Sequence, residues 1–229
     1  RMMQEESEMT ETNTSGIITA AADIIAGAFN ALPKRVCNQH KFSDYADYLH
    51  ENLPAQAELD LQREKPLNPA PLVSVAIACS GASRAAVRST LEALGKQTYA
   101  NFEVCLVSEL AQAGLTDYEG IPKFRLVLFN GTAHEQLKAA EKMLNGAYFL
   151  QLLPGDLPAP DALHMLVLQT HANPEAEVVF ADEDSVIDGI RQNPIFKPDY
   201  GRDTLRSFNS IGRPMLVSKR VHTAVGMLE

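Results

Sequence analysis

The spacing of apolar positions changes twice along the chain. Between Ile17 and Leu32 they recur at three- and four-residue intervals, as Ile17/Ile18, Ala21/Ala22, Ile24/Ile25 and Ala28/Phe29. That period lays a single apolar stripe along a helix, with Asn13, Thr14 and Ser15 as candidate caps before it. Two shorter helices are expected at Ser43–Leu53 and Pro54–Glu64, the second with proline in its first turn. Lys65–Pro71 (KPLNPAP) then sets three prolines in seven residues, which excludes regular helix and central strand and reads as a stiff linker.

After the linker the pattern becomes short β-branched runs. Leu72–Ala78 (LVSVAIA), Phe102–Val107 (FEVCLV), Phe124–Phe129 (FRLVLF), Tyr148–Leu153 and Glu177–Ala181 are expected as five strands. Helices are expected between them: from Ser83 with Val87, Leu91 and Leu94 on one side, from Thr132 with Leu137, Ala140 and Leu144, and from Pro160. Thr132 and Glu135 have the spacing of a capping box, in which each side chain satisfies a free amide at the helix start. Strand and helix alternating over short links imply right-handed crossovers and a mostly parallel sheet covered on both faces. The fold class expected for 72–182 is therefore three-layer α/β. Beyond Asp182 the alternation stops. Asp188-Gly189 marks a turn, prolines 194 and 198 interrupt the next stretch, and Met215–Ser218 is expected as one more strand before a helix from Lys219.

The resulting organisation is a polar, solvated or disordered lead-in at 1–15, a helical extension at 16–64, a linker at 65–71, and one α/β domain at 72–226. Residues 227–229 are expected to be an appended end. Composition narrows the function. With 45% hydrophobic and 21% charged residues the chain can fill a core, and no apolar run reaches the roughly 18–20 residues of a membrane-spanning helix. Twenty basic against 29 acidic side chains, a net charge of −9, argue against nucleic acid as a partner. An anionic ligand must then be held by local geometry. Cys37, Cys79 and Cys105 form no CxxC pair, so buried free thiols are expected in place of zinc or a disulfide framework. A secretory leader is not evident, so the cytoplasm is the expected location. His164 and His171 have no acid or cysteine at ligand spacing and are read as surface residues.

In an open parallel sheet, ligands sit beyond the carboxyl ends of the strands. The turn after the first expected strand is Cys79-Ser80-Gly81-Ala82-Ser83, small enough to approach a phosphate or nucleoside, although it is not a GxGxxG fingerprint and also suits a plain strand–helix turn. Ser108 and Glu109 follow the second strand, Pro154-Gly155-Asp156 the fourth, and Asp182-Glu183-Asp184 the fifth. Carboxylates converging on one rim can bind a hard divalent cation that holds a diphosphate; acidic turns also serve solubility. Residues 175–188 carry six acids and no base, and 191–220 carry seven bases. Those two runs are either complementary faces of one cleft or ordinary solvated surface.

The order of these segments resembles the inverting family 2 glycosyltransferases with the nucleotide-sugar-binding GT-A fold, in the branch of O-antigen, rhamnan and capsule synthesis. The resemblance starts near Asp44–Leu49 (DYADYL) and runs through Pro71–Ala78 and Leu91–Glu103 (LEALGKQTYANFE). It is strongest from Gly146 to Gly226, in Leu153–Leu163 (LPGDLPAPDAL), Phe180–Gly189 (FADEDSVIDG) and Asn193–Leu205 (NPIFKPDYGRDTL).

The resemblance implies a Rossmann-like domain taking a nucleotide-diphosphate sugar and a saccharide acceptor. Ser80, Gly81, Ser108 and Glu109 would then lie against the nucleotide, and Asp182, Glu183 and Asp184 against the donor sugar or in its support. Asp156, the last acid of a family pattern Asp-x-Asp-Asp that here reads Leu153-Pro154-Gly155-Asp156, would weakly hold Mg²⁺ or Mn²⁺. The family's general base belongs to a later acidic motif, beyond the position of Gly226, so no catalytic base is expected here and the chain is expected to turn over poorly. The alternative is a non-catalytic domain of the same descent that docks other proteins. The apolar N-terminal helix would serve it as a protein contact or as a peripheral contact with the inner membrane.

Overall fold

A computed structural model describes residues 45–109 and 121–225. The apolar stripe at 17–32 and Cys37 lie outside the described residues. In chain order the elements are α1 (Tyr45–Asn52), α2 (Gln56–Glu64), β1 (Val73–Ala78), α3 (Arg84–Leu94), β2 (Phe102–Ser108), β3 (Phe124–Leu128), α4 (Ala133–Glu141), β4 (Tyr148–Leu152), α5 (Ala162–Ala172), β5 (Val178–Phe180), β6 (Glu183–Ile187), β7 (Ile190–Ile195), α6 (Arg202–Ser207), β8 (Met215–Ser218) and α7 (Lys219–Val225). No helix among the described residues is long and apolar enough to cross a membrane.

Six strands form one sheet in the order β3-β2-β1-β4-β8-β5, and β6 and β7 form a separate two-stranded sheet. The first four sheet neighbours are parallel. Alternation along β1 divides the core. Val73, Val75 and Ile77 face a cluster built with Val87, Leu91 and Leu94 of α3 and Leu163, Leu166 and Val167 of α5. Ala76 and Ala78 face the opposite cluster, with Cys105, Val107, Phe149 and Leu137 and Ala140 of α4. Helices on both faces of a sheet whose inner strands are buried make the three-layer α/β domain that the sequence pattern implies. The helix starts are also as expected. Ser83 Oγ accepts from the Ala86 N–H, and Thr132 and Glu135 form the reciprocal capping box.

The alternation did not foresee the insertion of β8. Met215–Ser218 pairs antiparallel with both β4 and β5, so the fifth strand never touches the fourth. The stretch after Asp182 also holds more structure than its prolines suggest. Asp188 and Gly189 both adopt positive φ, 53° and 79°, in the turn joining β6 to β7. Paired positive φ gives the primed turn whose twist suits a two-residue hairpin. Pro194 is tolerated in β7 because a two-stranded ribbon consists of edges.

Residues 65–71 are irregular, yet they are fastened to the domain. The Tyr99 hydroxyl donates to the Pro71 carbonyl, Asn101 Nδ2 donates to Ala70 O at 2.7 Å, and Leu67 packs on the core. Helix α2 is tied down as well, with Thr98 Oγ1 donating to Gln62 Oε1 at 2.6 Å. On the amino side of the sheet, Glu103 is a core carboxylate. Its Oε1 accepts from the Ser74 hydroxyl and the Asn145 N–H, each at 2.6 Å, and Arg125 Nη2 stands 3.7 Å from Oε2. A buried charge persists only when bonded in this way. His164, read from sequence as a surface residue, is buried in α5, and burial lowers its pKa.

Candidate functional site

Strand order decides where a ligand can lie. Strands β1, β2 and β3 run outward in one direction and β4 lies on the other side of β1, so the topological switch falls between β1 and β4. The turns that follow those two strands are Cys79–Ser83 and Leu153–Asp156, which places Ser80, Gly81 and Asp156 on either side of the switch. Strand β5 is parallel to β4, since both run opposite to β8, so Asp182 and Glu183 leave the sheet on the same edge as Asp156. Glu109 reaches that edge from β2. At about 4.8 Å per strand, four steps separate Glu109 from Asp182, a span of roughly 19 Å that suits an elongated ligand lying across the rim.

The antiparallel β8 adds a cation to this edge. Its register, Leu150 with Leu216 and Phe180 with Met215, brings the residues preceding Met215 to the rim between the tips of β4 and β5. Arg213 therefore lies there, with its Nε 3.1 Å from Asp156 Oδ2. The same oxygen accepts from the Leu153 N–H at 2.8 Å. Lys197, beyond β7, completes the bridge. Its Nζ donates to the Arg213 carbonyl at 2.6 Å and stands 3.6 Å from Glu183 Oε1, while its backbone N–H donates to Asp182 Oδ1 at 2.8 Å. Burial lowers the Lys197 pKa against the opposing pull of Glu183. Gly212 makes this close packing feasible. Its φ is 55°, and a Cβ there would stand 2.9 Å from Glu183 Oε1.

Asp156 and the Asp182–Glu183 turn are thus linked on one side of the molecule through Arg213 and Lys197. Asp184 is not part of that group. One residue further along β6 its carboxylate has different partners, accepting from the Tyr45 hydroxyl at 2.5 Å and from Arg191 Nε at 2.6 Å. It fastens α1 to the hairpin, with Tyr45 and Tyr48 also edge-on to Phe196. The acidic and basic runs of the sequence are therefore complementary and in direct contact. Asp184 meets Arg191, Glu183 meets Lys197, and Glu177 meets Arg220 at 2.8 Å.

The end of the rim at β1 and β3 is held by a residue that the sequence pattern did not single out. Gln136, fully buried on α4, accepts with Oε1 from the N–H groups of Cys79 and Ser80 at 2.8 and 2.9 Å, and donates through Nε2 to Phe129 O at 3.1 Å. One amide side chain thus joins the turn after β1 to the end of β3. A glutamine on a helix face carries no sequence signal of such a role. Gly81 takes φ 70° in an open turn, where an added Cβ would meet nothing within 4 Å, so it serves the turn's conformation. Ser108 is buried at the end of β2 and its hydroxyl turns back to the Glu109 carbonyl at 3.4 Å, whereas Glu109 is half-buried at the edge. On the β4 side, Gly155 N–H donates to Thr90 Oγ1 at 2.8 Å and to Ala86 O at 3.0 Å, so α3 fixes the turn that presents Asp156.

The residues at Asp156 fit a divalent cation poorly. Mg²⁺ and Mn²⁺ favour several oxygen ligands and usually one or two carboxylates beside substrate phosphates. Here a single carboxylate lies by the switch, and one of its oxygens already accepts two N–H groups, one of them from the Arg213 guanidinium. Among the described residues no three His, Cys, Asp or Glu side chains converge to hold a metal. The metal role expected of Asp156 is not supplied by this set of donors.

No protein-family model matches the chain. The uncharacterized protein y4gI of Sinorhizobium fredii is 33% identical over 150 residues, covering 62% of this chain and 16% of that protein. The O-antigen biosynthesis protein RfbC of Myxococcus xanthus is 26% identical over 195 residues, covering 81% of this chain and 15% of that protein. The O-antigen resemblance is borne out. The chain spans only about a sixth of the length of either relative. Among solved structures, the mannosyltransferase PcManGT from Pyrobaculum calidifontis in complex with GDP-Man and Mn²⁺ overlaps loosely, with a TM-score of 0.38 and 19% identity over 72% of this chain and 46% of that one.

Proposed function

We propose that the chain is the donor-binding domain of an inverting glycosyltransferase with a GT-A architecture, taking a nucleoside-diphosphate sugar in the synthesis of a bacterial surface polysaccharide. One observation carries the reading. Across the topological switch the rim presents, in order, Glu109, the Ser80–Gly81 turn, Asp156 with Arg213, and Asp182 with Glu183. Each part of such a donor has a suitable neighbour in that order. The nucleoside lies by Glu109 and the small turn, the diphosphate by the switch, and the sugar by carboxylates that accept from its hydroxyls. Asp184 stands outside that set and fastens α1 to the hairpin through Tyr45 and Arg191.

In an inverting transfer the acceptor oxygen bonds to the anomeric carbon from the face opposite the diphosphate. The carbon–oxygen bond to phosphate breaks and its electron pair leaves with the nucleoside diphosphate. The acceptor proton needs a base within hydrogen-bond reach. Among the described residues the rim assigns none, since Asp156, Asp182 and Glu183 are each engaged with Arg213 or Lys197 and Glu109 stands at the opposite, nucleoside end. Donor binding with slow turnover is the expected behaviour of this chain.

Calorimetry with UDP-, dTDP- and GDP-sugars tests the reading. One nucleotide class should bind, and Asp182→Asn should weaken it. A second reading, a docking module without donor binding, is favoured by the apolar side chains that the hairpin leaves exposed, Ile190 at 66% and Phe196 at 54%. Failure of every nucleotide sugar to bind would select that second reading.

A further inference from the structure

We propose that Arg213 is the group that receives the donor's diphosphate, and that donor binding at this rim proceeds without a divalent cation. The inference rests on the nucleotide-sugar reading above and identifies the chemistry of its central part.

Three features of the structure lead to it. The first is position. Arg213 enters the rim between the tips of β4 and β5 because β8 is antiparallel, and it lies beside the switch where a ligand crossing the sheet must pass. The second is which nitrogen is occupied. Asp156 engages Nε, and the terminal nitrogens, which carry four of the guanidinium's five N–H donors, have no partner among the described residues. The side chain is 44% exposed. A guanidinium held by Nε keeps its terminal N–H groups available for hydrogen bonds to phosphate oxygens. The third is backbone support. The Lys197 side chain is 1% exposed, and its ammonium donates to the Arg213 carbonyl, fixing the main chain from which the guanidinium projects.

The same contacts work against a metal. An ion at Asp156 would have to displace Arg213 from Oδ2 or sit on the remaining oxygen with a guanidinium charge beside it, and no second carboxylate joins Asp156 directly among the described residues. Asp156 is then a positioning residue, acting on the diphosphate through the orientation it imposes on Arg213. Asp182 and Glu183 lie beyond, where a neutral sugar with donor hydroxyls follows the phosphates.

The test is calorimetric titration of the whole chain with UDP, GDP and dTDP, once in excess EDTA and once in millimolar MnCl₂. The nucleotide that binds should do so with the same Kd, within about threefold, in both buffers. Arg213→Met should weaken it about tenfold or more, the size expected for losing charged hydrogen bonds, and Arg213→Lys should recover part of the loss. Asp156→Asn should weaken binding less than Arg213→Met and should not create a manganese requirement. Thermal unfolding of each variant separates loss of binding from loss of fold. Binding that appears only with Mn²⁺, or that tightens when Arg213→Met frees the Asp156 carboxylate, overturns the proposal while leaving the nucleotide-sugar reading in place. Absence of binding by all three nucleotides in both buffers removes that reading and this inference together.

Discussion

The Tyr45 hydroxyl donates to Asp184 Oδ2 at 2.5 Å across 139 positions of sequence, and Arg191 Nε reaches the same oxygen at 2.6 Å. Helix α1 and the β6–β7 hairpin are thereby joined at one carboxylate. Burial and the hydrogen bond to Asp184 push the tyrosine pKa up to about 12, so the phenol stays protonated and donating at any ordinary pH.

Tyr45→Phe should therefore loosen α1 from the hairpin without altering the rim. A stability loss of about 1–2 kcal/mol is expected, the cost of leaving a partly buried charged acceptor short of one donor. Urea denaturation measures it. Nucleotide affinity should remain within about twofold of the wild type, since the Tyr45–Asp184–Arg191 contact shares no partner with Asp182 or Glu183. A large loss of affinity with unchanged stability would place Asp184 in the donor pocket instead.

Gln136→Leu should cost more. The substitution removes the acceptor of two N–H groups and the donor to Phe129 O at once, and the Ser80 N–H has no second partner among the described residues to fall back on. Each buried group left unsatisfied costs about 1–3 kcal/mol, so a loss of about 2–4 kcal/mol is expected in chemical denaturation. Hydrogen exchange at Ser80 should accelerate more than exchange in the middle of β1.

Stability should fall as pH drops below neutrality, with His164 and His222 among the causes. Burial lowers both pKa values from 6.5; for His222 the nearby Glu141 opposes that shift, and the ring lies stacked on Phe149 at 4.0 Å. Above pH 6.5 both histidines are neutral whether the chain is folded or not, and their contribution is constant. Below it the unfolded chain takes up protons first, so native stability declines until the lower native pKa is reached. Denaturation midpoints measured from pH 7.5 to 5 should show that slope, and His222→Gln with His164→Gln should flatten it.

The two buried cysteines should be inert. Burial raises the Cys79 thiol to about 12 and the Cys105 thiol to about 11, so neither supplies thiolate at neutral pH. In a Cys37→Ser background, a chromogenic disulfide reagent should titrate no thiol in the native protein and two in denaturant. Rapid native labelling of either residue would mean that β1 or β2 opens locally.

The parallel core was legible because its strands are buried on both faces and advertise themselves as unbroken β-branched runs. Leu72–Ala78 and Phe102–Val107 coincide with β1 and β2 almost to the residue. Caps were legible for a related reason, since Ser83 and Thr132 each act on an amide three positions away. The insertion of β8 was not, because a strand's neighbours are set by packing between distant segments, and Met215–Ser218 reads the same beside β4 as it would at an edge. The β6–β7 hairpin was obscured by Pro194, a residue that excludes a central strand but not a ribbon edge. At the site, the acids were legible from their places just after the strands, and Arg213 was missed because it precedes its strand. An antiparallel strand delivers the residues before it to the same rim that parallel strands supply with the residues after them.

The position of β8 also bears on how the molecule comes to be made. Ribosomal synthesis proceeds from the amino end, so β4 and β5 emerge well before Met215–Ser218, which must separate them. Until those residues arrive, the nascent sheet exposes β4 as a bare hydrogen-bonding edge, and β5 has no ladder to join. A strand made later than both of its neighbours thus closes the interior of the sheet. Ribosome-stalled chains ending before residue 215 should accordingly be held by chaperones and cut readily by protease, and those in which β8 has fully emerged should escape both.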